Sequence, residues 1–544
     1  MNHSFSSENR ENMKNEMKTG VIDLLIIGGG IAGAGILLDA QVRGISSVIL
    51  EMDDFASGAS GHSTKLCHGG FRHTKQFDMK RSAELAKERA IIHENAPHLT
   101  RPEPMLIPIY KEGPFDRWKT SIGLKMFDHL TEVKKRDRGE MLSKKQTLKI
   151  EPSLNGDRLK GSGLYIEYRM EDARLTLEII KEAVKRGAKA LNYMKVESFI
   201  YENGVATGVI AVDLISGEAI KLFAKKIVNA TGAWLDHLRE QDRSLNETKL
   251  KLVKGLHLVF DSSVFPLKYG VYFKSKMDDK MICAVPYHNK IYVGMSETDI
   301  EEVSDVAGYS ESERDYLLEN LAHFFPQLNL EKEDIISYWT GVRTFVQKST
   351  KSKNDEFSNH EIIISDSKII SVMLGTLTAY RITATKVVDG ICEQLKITHP
   401  SETESITLSG GHVGGSDLFS NYVKKIAKAG KELELSEQKI NQLVERYGSN
   451  IGNIFAKMRT NKRHAKRWDL PSELYAEIRY GIEEEMVMSP LDFFSRRTSY
   501  LYFEPHYVKE NYKMVLHYFS DYFHWSPERL QIETNRMEEA LASS

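Results

Sequence analysis

Apolar residues fill the positions from Leu24 to Ile27 and stop abruptly at Gly28-Gly29-Gly30. That is the pattern of a strand buried on both faces that ends in a turn. A helix-like segment follows, and a second apolar strand ends on Glu51. Residues 80–96 read as a helix. The segment DARLTLEIIKEAVKR, 172–186, has the period of an amphipathic helix, with Asp172 placed to cap it. Over 192–228 the pattern predicts a strand, a hairpin and a strand, closing on the tight turn Asn229-Ala230-Thr231-Gly232. Residues 253–299 are strand-rich, and their alternation leaves the sheet one wet or ligand-facing side. Residues 361–372 read as another strand, which leads through a glycine turn at Gly375 into a long helix. Beyond the polar stretch 401–410, residues 416–544 are almost entirely helical in pattern and read as a separate domain.

The turn at the end of the first strand carries chemistry. In Gly28-x-Gly30-x-x-Gly33, Gly28 permits the tight turn, Gly30 leaves the backbone open to a pyrophosphate, and Gly33 lets helix and strand pack closely. The helix N-terminus offers free N–H groups and the positive end of its dipole to phosphates. Glu51, at the end of the next strand, is placed to accept both hydroxyls of an adenosine ribose and to repel a 2′-phosphate. The motif therefore predicts a dinucleotide of the non-2′-phosphorylated kind. The Gly- and Ser-rich segment 53–73 is suited to wrapping phosphates or approaching a flat ring, and Gly375 opens a second helix N-terminus toward an electron-rich atom.

Composition narrows the class. A chain of 544 residues exceeds one hydrophobic core, so two or three domains are expected. The formal net charge of −2 gives no support for a nucleic-acid partner. Cys67, Cys283 and Cys392 lie far apart with no metal-ligand spacing and read as buried small hydrophobes in a reducing compartment. No metal site is expected. Residues 1–19 are polar, without the apolar core of a signal peptide, and read as a disordered tail. No stretch has the length of a transmembrane helix. A cytoplasmic protein is expected, with room for peripheral contact on the inner face of the cell membrane. Residues 114–147 mix aromatic, aliphatic and basic side chains, including Phe115, Trp118, Lys119 and Lys125. They fit a helix packed on its own domain or a surface helix touching anionic lipid.

Several stretches stand in the order of one family: IIGGGIAGAGILLDA, STKLCHGGFR, YIEYRMEDARL, NATGAWLD, KGLHLV, AVPYHNKIYVG, TGVRTF and LTAYR, closing with EIRYGIEEEMVMSPLDFFSRRT. Over residues 20–544 the chain resembles the FAD-dependent glycerol-3-phosphate dehydrogenases of the respiratory type. The resemblance implies an α/β fold: a Rossmann-like FAD-binding domain interleaved with an antiparallel-sheet substrate domain, plus an all-α C-terminal domain. It assigns FAD-binding segments to about 20–80, 170–240 and 340–400, substrate segments to about 81–169 and 241–339, and the helical domain to 401–544. It implies hydride transfer from sn-glycerol 3-phosphate to flavin N5, giving dihydroxyacetone phosphate, with electrons passed to a quinone. A homodimer is compatible with it.

By the same resemblance, Ser63, Thr64, Lys65, His68, Gly69, Thr231, Gly232, Gly375, Leu377 and Thr378 join Gly28, Gly30, Gly33 and Glu51 around the cofactor. His257 stands at the reacting carbon as proton acceptor or orienter, and Arg72 and Arg343 grip substrate, a guanidinium fitting a phosphate bidentately. His73 and Thr376 fall on the substrate side. There the chain departs from the family: His73 replaces a tyrosine, Thr376 a lysine, and Tyr287 and Ser358 arginines. The family's GTTD is Gly294-Met295-Ser296-Glu297. Cofactor-facing glycines are kept while cationic groups expected around a phosphate are missing. Two rivals follow: a flavoenzyme of the same fold with a changed substrate, and a catalytically silent flavoprotein.

Overall fold

The run Val21–Ile27 forms the centre of a parallel array, flanked by Ser47–Leu50 on one side and Ala219–Asn229 on the other. Leu24, Leu25 and Ile26 have no exposed surface, as expected of a strand covered on both faces. Lys189–Leu191 and Ile370–Leu374 extend the array outward. Met194–Glu202, Val205–Asp213 and His360–Ile364 add antiparallel strands, giving an eight-stranded sheet among the described residues. The chain leaves Val21–Ile27 toward one side of the sheet and returns on the other. This reversal opens a crevice at the carboxyl ends of the strands, where ligands of such folds bind. Helices Ile31–Val42, Asp172–Lys185 and Tyr380–Leu395 pack around it.

This is a computed structural model, and it describes residues 5–67, 79–111, 113, 115, 118, 120–122, 124–125, 138–246, 248–278, 280–306, 308–347, 357–358 and 360–542. A second sheet, of eleven strands among these residues, is built on the long antiparallel pairs Thr100–Tyr110 with Leu159–Met170 and Lys249–Asp261 with Ile335–Gln347. Gly270–Lys274 runs parallel to Thr100–Tyr110. The C-terminal region is helical, from Phe419–Lys431 to Pro527–Ala542. Phe493, Phe494, Phe503 and Phe519 from it share one apolar core with Val259, Tyr292 and Trp339 of the second sheet. The helical region is thus packed onto the oxidoreductase body.

Three expectations need correction. The N-terminal residues are not a loose tail: Ser7–Asn9 and Arg10–Met17 are helical, with Phe5, Met13 and Met17 buried. Arg10 and Lys14 look solvent-seeking in sequence, yet both pair with buried Asp213, at 2.8 and 3.0 Å. The segment 361–372 is not one strand but parts of two, His360–Ile364 and Ile370–Leu374, folded back through Ser365–Lys368. Asp172 does not cap its helix from outside. It is the first helical residue, after Glu171; its Oδ1 accepts the first-turn Ala173 N–H at 2.8 Å as well as Lys65 Nζ, and its Oδ2 accepts from Ser63. Of the mixed segment 114–147, Phe115 and Leu124 are buried and Trp118 is 72% exposed, while most of 114–137 lies outside the described residues.

Candidate active site

One elongated cleft with about 1830 Å³ of empty space, its open mouth included, runs from the carboxyl ends of the first sheet to the face of the second. At one end lies the glycine turn. Gly28 has φ +109°, and a Cβ there would come within 2.6 Å of the Ala230 carbonyl oxygen. A Cβ on Gly33 would lie 2.0 Å from the Gly28 carbonyl oxygen, so helix and turn touch backbone to backbone. Gly30 lines the cleft and serves as N-cap of Ile31–Val42 without any capping side chain. The helix has no acidic residue in its first turn. Ser60 Oγ accepts the Ile31 N–H at 2.9 Å. The remaining positive end faces the cleft, ready for an anion.

Glu51 lies beside this turn. Its two carboxylate oxygens accept from the Gly29 N–H at 2.6 Å and the Asp53 N–H at 2.9 Å. Burial pushes its pKa up to about 7; the two N–H groups oppose the rise, and the charges of Asp53 and Asp54 add to it. Met194, Lys195 and Val196 complete this end. They were not expected: they begin a strand without any local motif, and the link to Glu51 is a backbone bond from Met194 N–H at 2.7 Å.

The other end is a stack of supports. The Ser63 N–H and Oγ both donate to Asp172, at 3.0 and 2.8 Å, and Lys65 Nζ donates to the same carboxylate at 2.7 Å. Lys65 Nζ lies 5.4 Å from the centre of the Trp339 ring. Trp339 Nε1 donates to the Ser63 carbonyl at 3.1 Å, and its ring stacks on His257 at 4.7 Å and 7°. His257 is 1% exposed, and neither ring nitrogen has a hydrogen-bond partner among the described residues. Burial holds its pKa down at about 3, helped by the charges of Lys65 and Arg343. The imidazole is neutral.

His62, also in the lining, sits between Gly58 and the helical region. Its Nδ1 is 3.0 Å from the Gly58 carbonyl, which can only accept, so Nδ1 carries the proton and Nε2 accepts from the Tyr502 hydroxyl at 3.0 Å. Arg343 reaches Glu297 at 3.3 Å, and about a third of its side chain is exposed. Thr376 precedes the turn Leu377–Ala379, and its hydroxyl does not cap it. Thr378 Oγ1 is 3.6 Å from Cys67 Sγ.

The structure thus gathers Gly28, Gly30, Glu51, Ser63, Thr64, Thr231 and Gly232 with His257, Arg343, Gly375, Thr376, Leu377 and Thr378 along one cleft. Gly33 and Lys65 stand behind its wall. His68, Gly69, Arg72 and His73 lie outside the described residues, as does the side chain of Ser358. Tyr287 is elsewhere: it stacks on Phe503 at 3.8 Å with the Arg169 guanidinium 4.5 Å from its ring centre. Its departure from the family does not thin the lining of this cleft.

Residues 23–359 match the family described as FAD dependent oxidoreductase, and residues 401–530 match the C-terminal domain of alpha-glycerophosphate oxidase. The chain is 44% identical to the aerobic glycerol-3-phosphate dehydrogenase of Bacillus subtilis, over 99% of this chain and 98% of that one. It is 40% identical to the enzyme of the same name from Staphylococcus aureus, over 99% and 97%. Among solved structures, the glycerol-3-phosphate dehydrogenase from Bacillus halodurans complexed with FAD aligns with a TM-score of 0.87 at 40% identity, covering 99% of this chain and 98% of that one. A glycerophosphate oxidase from Mycoplasma pneumoniae shares the fold at 17% identity and a TM-score of 0.56, over 71% of this chain and 97% of that one.

Proposed function

The chain belongs to the aerobic glycerol-3-phosphate dehydrogenase family of FAD-dependent oxidoreductases, and on that premise we propose that it oxidises sn-glycerol 3-phosphate to dihydroxyacetone phosphate and delivers the electrons to a quinone. One observation carries the reading: a neutral, fully buried imidazole, His257, stands in the cleft with both nitrogens unpartnered among the described residues. Such a ring leaves one N–H donor and one acceptor nitrogen for a ligand, and the acceptor can take a hydroxyl proton.

The residues present fit FAD. Glu51 would take the adenosine ribose, the Gly28–Gly33 turn and the N-terminus of Ile31–Val42 the pyrophosphate, and Ser63, Thr64 and Thr378 the flavin end. The chemistry supplied by bound FAD is acceptance of a hydride from the secondary alcohol carbon. His257 takes the hydroxyl proton at one of its ring nitrogens. The stack on Trp339, anchored through Ser63 to Asp172, fixes the plane of the ring. Burial, with the cationic field of Lys65 and Arg343 added to it, keeps the imidazole unprotonated. A phosphate dianion offsets that field and raises its basicity as substrate enters. Arg343 exchanges Glu297, a partly exposed and weak partner, for the phosphate, where two parallel hydrogen bonds form. Among the described residues no helix is long and apolar enough to cross a membrane. Anaerobic mixing with glycerol 3-phosphate tests the reading: the flavin band near about 450 nm bleaches. Bleaching by another polyol alone transfers the reading to a changed substrate.

Thr376 bears on that rival, because a neutral side chain lines the cleft where the family carries a cation. Thr376→Lys restores one charge-assisted hydrogen bond. It is expected to lower KM for glycerol 3-phosphate about tenfold with kcat unchanged. An unchanged KM means that position 376 does not face the phosphate.

The raised pKa of Glu51 gives a second test. The carboxylate can accept at both oxygens only when ionised, so FAD is held best above about pH 7. Below that pH the Kd for FAD rises, approaching about tenfold per pH unit. Flavin fluorescence against pH measures it, and Glu51→Gln is expected to flatten the curve.

A further inference from the structure

Met52 still lines the cleft, and the residues after it turn away into a buried ionic hub. Asp54 has no exposed surface. Its Oδ2 accepts from Arg496 Nε and Arg497 Nη1, both at 2.6 Å, and its Oδ1 from Arg497 Nη2 at 2.8 Å and Asn192 Nδ2 at 3.0 Å. Arg497 Nη2 continues to the Glu485 carbonyl at 2.9 Å, and Arg496 to Asp492 at 2.7 Å. Asn192 also donates to the Met486 carbonyl at 3.0 Å. Apart from Asn192, every one of these partners comes from the helical C-terminal region.

The other end of the chain closes on the same loop. The Phe5 ring lies 5.6 Å from that of Phe55. Ser6 and Ser7 hydroxyls donate to the carbonyls of Ile482 and Val487, and Arg10 donates to the Asn192 carbonyl at 2.8 Å. Phe55 in turn presses on the glycine turn, for a Cβ on Gly29 would meet its ring at 2.6 Å. Loop 51–55 therefore touches the cofactor cleft on one side and both chain ends on the other.

A buried ion pair gives little net stability, because desolvation offsets its attraction. What a forked guanidinium on a buried carboxylate does give is geometry, since both partners are fixed in plane and register. We propose that Arg497, supported by Arg496, is a positioning residue for the cofactor: through Asp54 it sets loop 51–55 so that the Glu51 carboxylate meets the adenosine ribose. The helical C-terminal domain is then part of the cofactor site. This rests on the reading of Glu51 as the ribose acceptor.

The test is a double-mutant cycle on the holoprotein, with the Kd for FAD read from the flavin fluorescence released on dilution. Arg497→Lys keeps the charge and loses the fork. It is expected to raise the Kd about tenfold in the native background and less than about twofold in the Glu51→Gln background. Equal factors in both backgrounds, or no change in either, overturn the proposal, because the pair then serves the fold alone. A Glu51→Gln variant that binds FAD as tightly as the native protein overturns the ribose reading itself, a result separable from the first. If the Arg497 variant does not fold, Arg496→Lys, which also holds Asp54, is read by the same cycle with the same criteria.

Discussion

Gly30→Val is expected to give a folded protein without its yellow colour. The three glycines of the turn break in different ways, and only Gly30 separates binding from folding. At Gly28 the left-handed φ of +109° and the Ala230 carbonyl at 2.6 Å both exclude a side chain. At Gly33 a side chain would sit 2.0 Å from backbone oxygen, prying helix from strand. Gly30 has φ −80° and ψ −176°, extended backbone that valine adopts readily, and the protein atom nearest its built Cβ is Ser60 Oγ at 3.0 Å. Ser60 can swing aside at the cost of its bond to Ile31 N–H, about 1 kcal/mol. The valine methyl groups then occupy the space over the uncapped helix N-terminus, where a diphosphate must approach the backbone. The Kd for FAD is expected to rise at least about a thousandfold, some 4 kcal/mol. The ratio of flavin to protein absorbance measures the loss, and a thermal melt shows that the fold persists. Gly33→Ala is the contrast: it should lose flavin and stability together. A Gly30→Val protein that keeps its flavin places the phosphates elsewhere.

The glycine turn was legible because strand, turn, helix and acid follow one another within thirty-one residues, 21–51, and each piece has its own signal. The misread segments lack that property. Residues 5–17 carry charges whose partner, Asp213, lies some two hundred positions away, so a buried helix reads as a solvated tail. The run EIIISDSKII has the apolar content of one strand, and its fold-back depends on Lys368 at φ +72° and the Ser365 N–H bond to Ile369. Asp-Ser is a turn signal, but the isoleucines on either side outweigh it in a window.

Tyr287 shows the same limit on the substrate side. The strand Met281–Tyr287 alternates: Cys283, Val285 and Tyr287 enter the core shared with the helical region, while Ile282 and Ala284 enter the core on the other face. Position 287 therefore lies on the face that packs on Phe503, away from the lining of the cleft. Motif comparison located the position without its face. The supports of the cleft were equally silent, since Asp54 and Arg497 meet across 443 positions and no local pattern marks such a pair.

His257→Phe separates the proton acceptor from the packing residue. A phenyl ring keeps the stack on Trp339 and the apolar contact beneath it, and removes both nitrogens. If His257 takes the hydroxyl proton, the rate of flavin reduction by glycerol 3-phosphate falls about 10²- to 10⁴-fold, roughly 3 to 5 kcal/mol of barrier. FAD content and KM stay near native values, because the residues proposed to hold cofactor and phosphate are untouched. Anaerobic stopped-flow reduction reads the step directly, free of the later transfer to an acceptor. A Phe variant that reduces at the native rate makes His257 a spacer for Trp339 and moves the base elsewhere. The fit is tight, since a Cβ on Gly294 would already lie 2.0 Å from the imidazole Cδ2, so His257→Gln serves as the smaller partner in the comparison. Glutamine offers a hydrogen-bond acceptor without a basic site: partial activity there, with none in the Phe variant, assigns orientation of the hydroxyl, and equal loss in both assigns proton transfer.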